Sequence, residues 1–281
     1  MKIGITGYRG TIGKSILKVL KSKNCKVFLL DDYTRFDPLT ISNEKEFPNN
    51  LDWVLHFGAK TSIEKSFQNS FYTYSNNLSS TVLALKIAYN SNARFLYMSS
   101  YVYGNPRYIP IDEMHPVKSS NPYMGSKILG EKICLDFCEQ FDIPLVILRG
   151  FNIYGSDIVN GRLISDTLKA VFEKTSIVLN DPIPKRDYLY YKDFNSLVLK
   201  IITKKLSRTG TYNVGYGKSY SNIEVVELAQ RISNNVFKIK IKQNPRPNDI
   251  IDCSVNNNLV KKTFSWKPKY SLSDGLKELI K

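Results

Sequence analysis

An α/β fold, with a doubly wound parallel sheet and a smaller α/β C-terminal part, is predicted by three observations. Short, continuously apolar runs alternate with helical stretches through the first half of the chain, as in a parallel sheet covered on both faces. A glycine-rich segment, Gly7 to Gly13, lies between the first strand and the first helix. After about residue 155 the alternation stops and prolines become frequent.

In chain order, Lys2 to Thr6 reads as a strand and Gly7 to Gly13 as a loop. Lys14 to Lys23 reads as an amphipathic helix with Ile16, Leu17 and Leu20 inward. Lys26 to Leu30 is a second strand, ending in Asp31-Asp32. Trp53 to His56, Arg94 to Met98 and Pro144 to Leu148 are further strands, separated by helices at Ser79 to Asn90 and Tyr123 to Gln140. Beyond them, Leu163 to Lys174 reads as a helix, and Ile177 to Leu179 and Phe237 to Ile241 as short strands. Ser221 and Glu224 have the spacing of a capping box, opening a helix whose inward face includes Val225, Leu228 and Ile232. The boundaries implied are a first domain at 1–155, rejoined by about 190–217, and a second part at 156–189 and 218–281.

Composition excludes a disordered chain, because 42% of the 281 residues are hydrophobic, including 14 Phe and 18 Tyr. Lys and Arg number 40 against 25 Asp and Glu, a formal charge of +15 that invites anionic partners. The lysines are scattered and no nucleic-acid-binding module is recognisable, so nucleic acid is not the expected partner. No apolar run reaches the roughly 20 residues of a membrane span. The segment MKIGITG enters a strand at once, without a leader pattern. A soluble cytoplasmic protein without membrane insertion is expected. The four cysteines (Cys25, Cys134, Cys138, Cys253) and two histidines (His56, His115) lack metal-ligand spacing and read as reduced thiols and isolated imidazoles. No metal is expected.

The loop Thr6-Gly7-Tyr8-Arg9-Gly10-Thr11-Ile12-Gly13 contains Gly-x-x-Gly-x-x-Gly. Its first glycine permits a tight turn, the second lets backbone approach a pyrophosphate, and the third lets the helix pack on the sheet. The helix N-terminus adds amide dipoles for the phosphate. Three glycines alone fit an ordinary turn as well. Here an acidic pair follows at the end of the next strand, where a ribose 2′-hydroxyl would sit. The combination points to a dinucleotide. Asp31 repels a 2′-phosphate and favours NAD, whereas Arg9 and Arg35 could neutralise one and leave NADP open.

Tyr123 and Lys127 form Tyr-x-x-x-Lys, which puts both on one helix face. Free tyrosine titrates near pH 10, and a neighbouring ammonium favours its anion, bringing proton transfer within reach at neutral pH. An isolated Tyr-x-x-x-Lys is commonly an aromatic beside a solvated lysine. This one is accompanied by Ser99-Ser100-Tyr101-Val102-Tyr103-Gly104 directly after a strand, and ligands bind at the carboxyl ends of parallel strands.

With these residues in place, the chain resembles the extended short-chain dehydrogenase/reductase family, specifically its nucleotide-sugar epimerases, dehydratases and reductases. TGYRGTIG resembles the family's TGxxGxxG loop, LLDD its acidic strand end, HFGAKTSIEKS its HxAAxxxVxxS segment and YSNNLSSTVLAL its NNxxGT helix. MSSYVYG, YMGSK, RGFNIYG, KRDYLYYKDF, TYNVGYG and PRPNDI follow in the family's order. The resemblance implies a Rossmann domain and a sugar-nucleotide-binding part. It makes Ser99, Tyr123 and Lys127 catalytic, with Lys127 also clamping the nicotinamide ribose. It assigns Gly7, Arg9, Gly10, Thr11, Ile12, Gly13, Asp31, Asp32, Arg35, Phe57, Gly58, Ala59 and Asn77 to the cofactor, with Tyr123 and Lys127. Ser99, Ser100, Tyr101, Asn152, Arg186 and Arg246 fall to the substrate, a nucleotide-diphosphate sugar. Arg246 would meet the diphosphate, which suits a planar guanidinium. A salt bridge to Asp187 or Asp193 is the alternative use of Arg186. A homodimer is the implied assembly.

Within that group, dehydratases carry an acid/base carboxylate pair after the catalytic Ser or Thr, and Ser100 and Tyr101 stand there instead. The implied reaction is hydride transfer at a sugar carbon, C4, and a nucleotide-sugar 4-epimerase is favoured. An NAD(P)H-dependent reductase of nucleotide 4-keto-6-deoxy sugars is the alternative. A non-catalytic dinucleotide-binding protein, the third reading, predicts loss of Ser99, Tyr123 or Lys127, and all three are present.

Overall fold

The structure, a computed structural model, describes residues 1–31, 47–155, 157, 161–204, 209–242, 244 and 249–281. Its first elements are β1 (Lys2–Thr6), α1 (Thr11–Ser22), β2 (Lys26–Leu29), β3 (Trp53–His56), α2 (Ile63–Gln68), α3 (Ser70–Asn90), β4 (Arg94–Met98), α4 (Pro122–Gln140) and β5 (Leu145–Gly150). Next come β6 (Asn152–Tyr154), α5 (Leu163–Glu173), β7 (Ile177–Leu179), β8 (Lys185–Tyr190), α6 (Tyr191–Thr203) and β9 (Gly210–Val214). The chain ends with β10 (Ser219–Ser221), α7 (Asn222–Ser233), β11 (Ile239–Ile241), α8 (Asn258–Phe264) and α9 (Leu272–Ile280).

Two compact units divide the chain. The first comprises Met1–Gly104, Pro116–Gly150 and Val198–Tyr212, and the second Asn105–His115, Phe151–Leu197 and Asn213–Lys281. A six-stranded sheet runs in the order β2-β1-β3-β4-β5-β9. The β1–β2, β1–β3, β3–β4 and β4–β5 pairs are parallel. The expected doubly wound α/β sheet is therefore present. Its strand order reverses between β1 and β3, and the crevice outside the carboxyl ends of those strands is where such sheets bind ligands.

Burial on both faces explains the continuously apolar strands. Val54, Phe95, Tyr97, Leu145 and Ile147 form one core with residues of α3 and α4. The alternate residues Trp53, Leu55, Leu96, Val146 and Leu148 are fully buried as well. On that second face the Trp53 indole N–H donates to the Ile202 carbonyl of α6 at 3.2 Å.

In the second unit, β10-β8-β6 form one small sheet and β11-β7 a strand pair. Around them a core gathers Tyr154, Leu168, Tyr188, Tyr190, Ala229 and Leu276. The capping box at α7 is complete, with Ser221 and Glu224 satisfying each other's backbone N–H at 2.6 and 3.2 Å. The inward face of α7 includes the expected residues and extends to Val226 and Ala229. Val225, Val226 and Ala229 are buried, and Leu228 and Ile232 pack only partly against the core. Helices α5 and α9 both lean on α7, and small Ala229 permits that close contact. Among the described residues no helix is long and apolar enough to cross a membrane.

Candidate active site

The glycine loop closes the β1–α1 turn as one interlocked piece. Gly7 has φ +70°, and a Cβ there would lie 2.5 Å from the Phe57 carbonyl carbon, so the loop passes directly over the end of β3. A Cβ on Gly13 would stand 2.0 Å from the Gly7 oxygen, so α1 can start against the loop only with glycine. Gly10 is the N-cap of α1, and the amide of Gly10 donates to the Gly7 carbonyl at 2.9 Å. The N-cap Gly10 has no side chain with which to cap α1, and no acidic residue lies in its first turn, which includes Thr11 and Ile12. The positive end of the helix is thus offered to an anion.

Asp31, buried at the end of β2, accepts the Gly7 N–H on its carboxylate. This ties the acidic strand end to the loop. Arg9 folds back over Tyr8, with its Nε donating to the Tyr8 hydroxyl at 2.9 Å. Phe57, Gly58 and Ala59 follow β3 and are half-buried. The Gly58 N–H donates to Thr6 Oγ1, which bonds His56 Nδ1 at 2.7 Å, and His56 Nε2 lies 3.1 Å from Thr81 Oγ1. Because Thr81 donates its own proton to the Asn77 carbonyl, the network assigns the imidazole proton to Nε2. Burial and the charge of Lys127 push the His56 pKa down to about 3, so the ring stays neutral. Asn77 accepts the Lys60 N–H at 2.7 Å and donates to Ser126 at 2.9 Å, joining the loop after β3 to α4. Asp32, Arg35 and Arg246 lie outside the described residues.

Helix α4 starts sharply. Asn121 caps it by accepting the Met124 N–H at 2.8 Å, and Pro122 fits the first turn, where no N–H partner is needed. Tyr123 then lies half-buried in the first turn and Lys127 one turn on. Lys127 is only 3% exposed, and its ammonium sits 4.2 Å above the centroid of the Tyr97 ring. Burial holds its pKa down at about 8, partly offset by the neighbouring Glu131 and Cys134. Tyr97 in turn stacks on His56, with ring centroids 5.7 Å apart. Glycine makes this packing possible, since a Cβ on Gly130 would collide with the Tyr97 hydroxyl at 2.1 Å.

Ser99 emerges from β4, 3% exposed, with its N–H bonded to the Leu148 carbonyl at 2.9 Å. Its hydroxyl donates to the carboxylate of Glu131. Ser100 and Tyr101 are half-buried beyond it, and the Tyr101 hydroxyl donates to the Gly104 carbonyl at 2.6 Å. Glu131 and its partner Arg149 were not among the residues singled out from the sequence. Arg149 Nη2 meets Glu131 Oε2 at 2.7 Å, and Arg149 Nη1 donates to the Tyr103 hydroxyl at 3.0 Å. The available signal was spacing: Tyr123, Lys127 and Glu131 stand at i, i+4 and i+8, a single stripe of α4.

Two further expected substrate residues belong to the second unit. Asn152 opens β6, with its amide donating to the Asp187 carbonyl at 3.3 Å. Arg186 on β8 pairs with Asp249 at 2.5 Å and donates to the Ile250 carbonyl, so its ion pair is with neither Asp187 nor Asp193. Asp187 is instead fully buried and accepts the N–H groups of Tyr216, Gly217 and Val255.

A family model described as NAD dependent epimerase/dehydratase family matches residues 3–215. A protein of Methanocaldococcus jannaschii described as a putative UDP-glucose 4-epimerase is 28% identical over 302 residues, covering 98% of this chain and 96% of its own. Among solved structures, the UDP-glucose 4-epimerase of Bifidobacterium longum in complex with NAD+ and UDP matches with TM-score 0.85 at 24% identity, covering 100% of this chain and 97% of that one. RMD of Pseudomonas aeruginosa complexed with NADPH matches with TM-score 0.88 at 24% identity, over 99% of this chain and 97% of that one. At that identity the two structures speak for the fold.

Proposed function

The chain belongs to the NAD-dependent epimerase/dehydratase family, and from that premise we propose that it is a nucleotide-sugar 4-epimerase using NAD. The observation that carries the reading is its likeness over nearly its whole length to a protein described as a putative UDP-glucose 4-epimerase, with Ser99, Tyr123 and Lys127 all in place. Supporting the cofactor, the N-terminus of α1 suits a pyrophosphate, and Asp31 suits a ribose diol and repels a 2′-phosphate. NAD, when bound, supplies the hydride acceptor and donor at the sugar carbon.

The protein's own residues handle the proton. Tyr123 takes it from the sugar's 4-hydroxyl and later returns it to the same oxygen. Lys127 supplies the positive charge that favours the tyrosine anion, in a site dry enough for that charge to act strongly. Ser99 hydrogen-bonds the reacting oxygen. No carboxylate follows Ser99, so elimination of water has no acid/base pair there.

The deciding experiment incubates the protein with a UDP-hexose and NAD. The expected result is its C4 epimer with no net change at the reduced-nicotinamide absorbance. Stoichiometric consumption of NAD(P)H with a 4-keto-6-deoxy sugar nucleotide, and no epimer, would replace the reading by the reductase. Arg9 in the glycine loop, a positive charge able to meet a 2′-phosphate, is what favours that second reading.

A homodimer is part of the same proposal. Helices α3 and α4 pack against each other, yet Val82, Tyr89, Leu129, Leu135 and Phe141 remain exposed. Apolar groups in such number on adjacent helices suit a second copy. Sedimentation should give twice the chain mass, and Leu129→Glu with Leu135→Glu should give a monomer. A wild-type monomer at assay concentration would remove the dimer.

A further inference from the structure

We infer that Glu131, held by Arg149, is a positioning residue that fixes the catalytic hydroxyl of Ser99, and this inference rests on the role given to Ser99 above. Three observations carry it. The Ser99 hydroxyl donates to Glu131, and both residues are under 5% exposed. Every oxygen of that carboxylate is engaged: Oε1 takes Ser99 and Arg149 Nε at 3.1 Å, and Oε2 takes Arg149 Nη2 at 2.7 Å and Nε at 3.2 Å. The guanidinium is itself anchored, with Nη1 on the Tyr103 hydroxyl at 3.0 Å and its plane beside the Tyr103 ring.

A buried ion pair is a weak way to hold a fold, because an apolar pair of the same volume commonly packs as well or better. What an apolar pair cannot do is accept a hydrogen bond from serine. A lone serine hydroxyl has three staggered wells and rotates among them. An acceptor that is immobile, because Arg149 clamps it in two places, selects one well. The oxygen then stands at a fixed point beyond the carboxyl end of β4, against Glu131 of the α4 stripe that also carries Tyr123 and Lys127. Because its proton goes to Glu131, that oxygen meets the sugar with its lone pairs, as a fixed acceptor for a sugar hydroxyl, and aligns the substrate before the hydride moves. Tyr103 and Tyr101 pack edge to face at 5.6 Å, so the Ser99-to-Tyr103 turn and the clamp form one unit.

The test is a double-mutant cycle on kcat, run on whichever conversion the wild-type protein catalyses, epimerisation or ketone reduction. Failure of the epimerase reading therefore leaves the cycle intact. Glu131→Gln should lower kcat by roughly tenfold with KM nearly unchanged, the scale of coupling between contacting residues. In a Ser99→Ala background the same change should have almost no further effect. Equal losses in both backgrounds would mean that Glu131 acts on the fold at large and would overturn the proposal. A fully active Ser99→Ala enzyme would overturn it too. Glu131→Gln leaves amide hydrogens facing Arg149 and can impair folding. Glu131→Met combined with Arg149→Met removes both charges and keeps apolar volume, so it serves as the second variant. It should retain cofactor binding and show the same kcat loss, again abolished by Ser99→Ala. Wild-type kcat in that folded variant would refute the proposal.

Discussion

Tyr123→Phe is expected to lose about 10²- to 10⁴-fold in kcat, the usual contribution of a positioned acid/base. On a free-energy scale that is about 3–5 kcal/mol of barrier. The substitution is clean because it keeps the ring in the first turn of α4 and deletes only the hydroxyl. The cap from Asn121 to Met124 N does not involve the phenol oxygen, so the start of α4 should stay intact. Cofactor affinity should fall little, because the glycine loop, Asp31 and the start of α1 are untouched. The measurement pairs turnover with NAD titration on the same preparation. Near-wild-type turnover would strip Tyr123 of its role, and loss of NAD binding along with turnover would show that the variant damages the site as a whole.

How far the sequence revealed this molecule differs by element. β1, β3 and β4 occupy the residues read from the chain, since a strand buried on both faces is an uninterrupted apolar run between breakers. Helix α3 was legible only from Ser79, although it starts at Ser70 under an Asn69 cap. It buries Thr73, Asn77, Ser80 and Thr81, of which Asn77 meets Lys60 and Ser126 and Thr81 meets His56. Polar residues turned inward erase the periodicity that marks a helix, and only their distant partners explain them. The same limit hid part of the candidate site. Gly7, Gly13, Ser99, Tyr123 and Lys127 announce themselves through spacing. Glu131 and Arg149 read singly as solvated charges, because nothing local says that β5 brings one to the other. The extension of the inward face of α7 to Val226 and Ala229 is a third case, set by α5 and α9, which both pack on it.

Lys127→Met should move activity and stability in opposite directions. For activity, the ammonium is what favours the Tyr123 anion, and its removal should cost about 10²-fold or more in kcat/KM. For stability, Lys127 is 3% exposed and its pKa falls from 10.5 to about 8 on folding. A lowered pKa means that the folded chain holds this proton less tightly than the unfolded chain. Below pH 8 both states are protonated and folding bears the full penalty of burying the charge. Between about pH 8 and 10.5 the folded form gives up the proton first, so stability rises with pH across that window. Above it the penalty is gone, a change on the order of 3 kcal/mol over the window. Methionine has no charge to bury and a similar length, and it keeps an attractive contact with the Tyr97 ring. The variant should thus be at least as stable as wild type at pH 7, with this rise in stability above pH 8 absent. The descending limb of the wild-type pH–activity profile should lie near pH 8, where the ammonium is lost. Chemical denaturation of both proteins at pH 7 and pH 9.5, beside turnover at pH 7, checks the pair of signs. If Lys127→Met is both inactive and markedly destabilised, Lys127 holds the fold together, and its burial is not a cost borne for function.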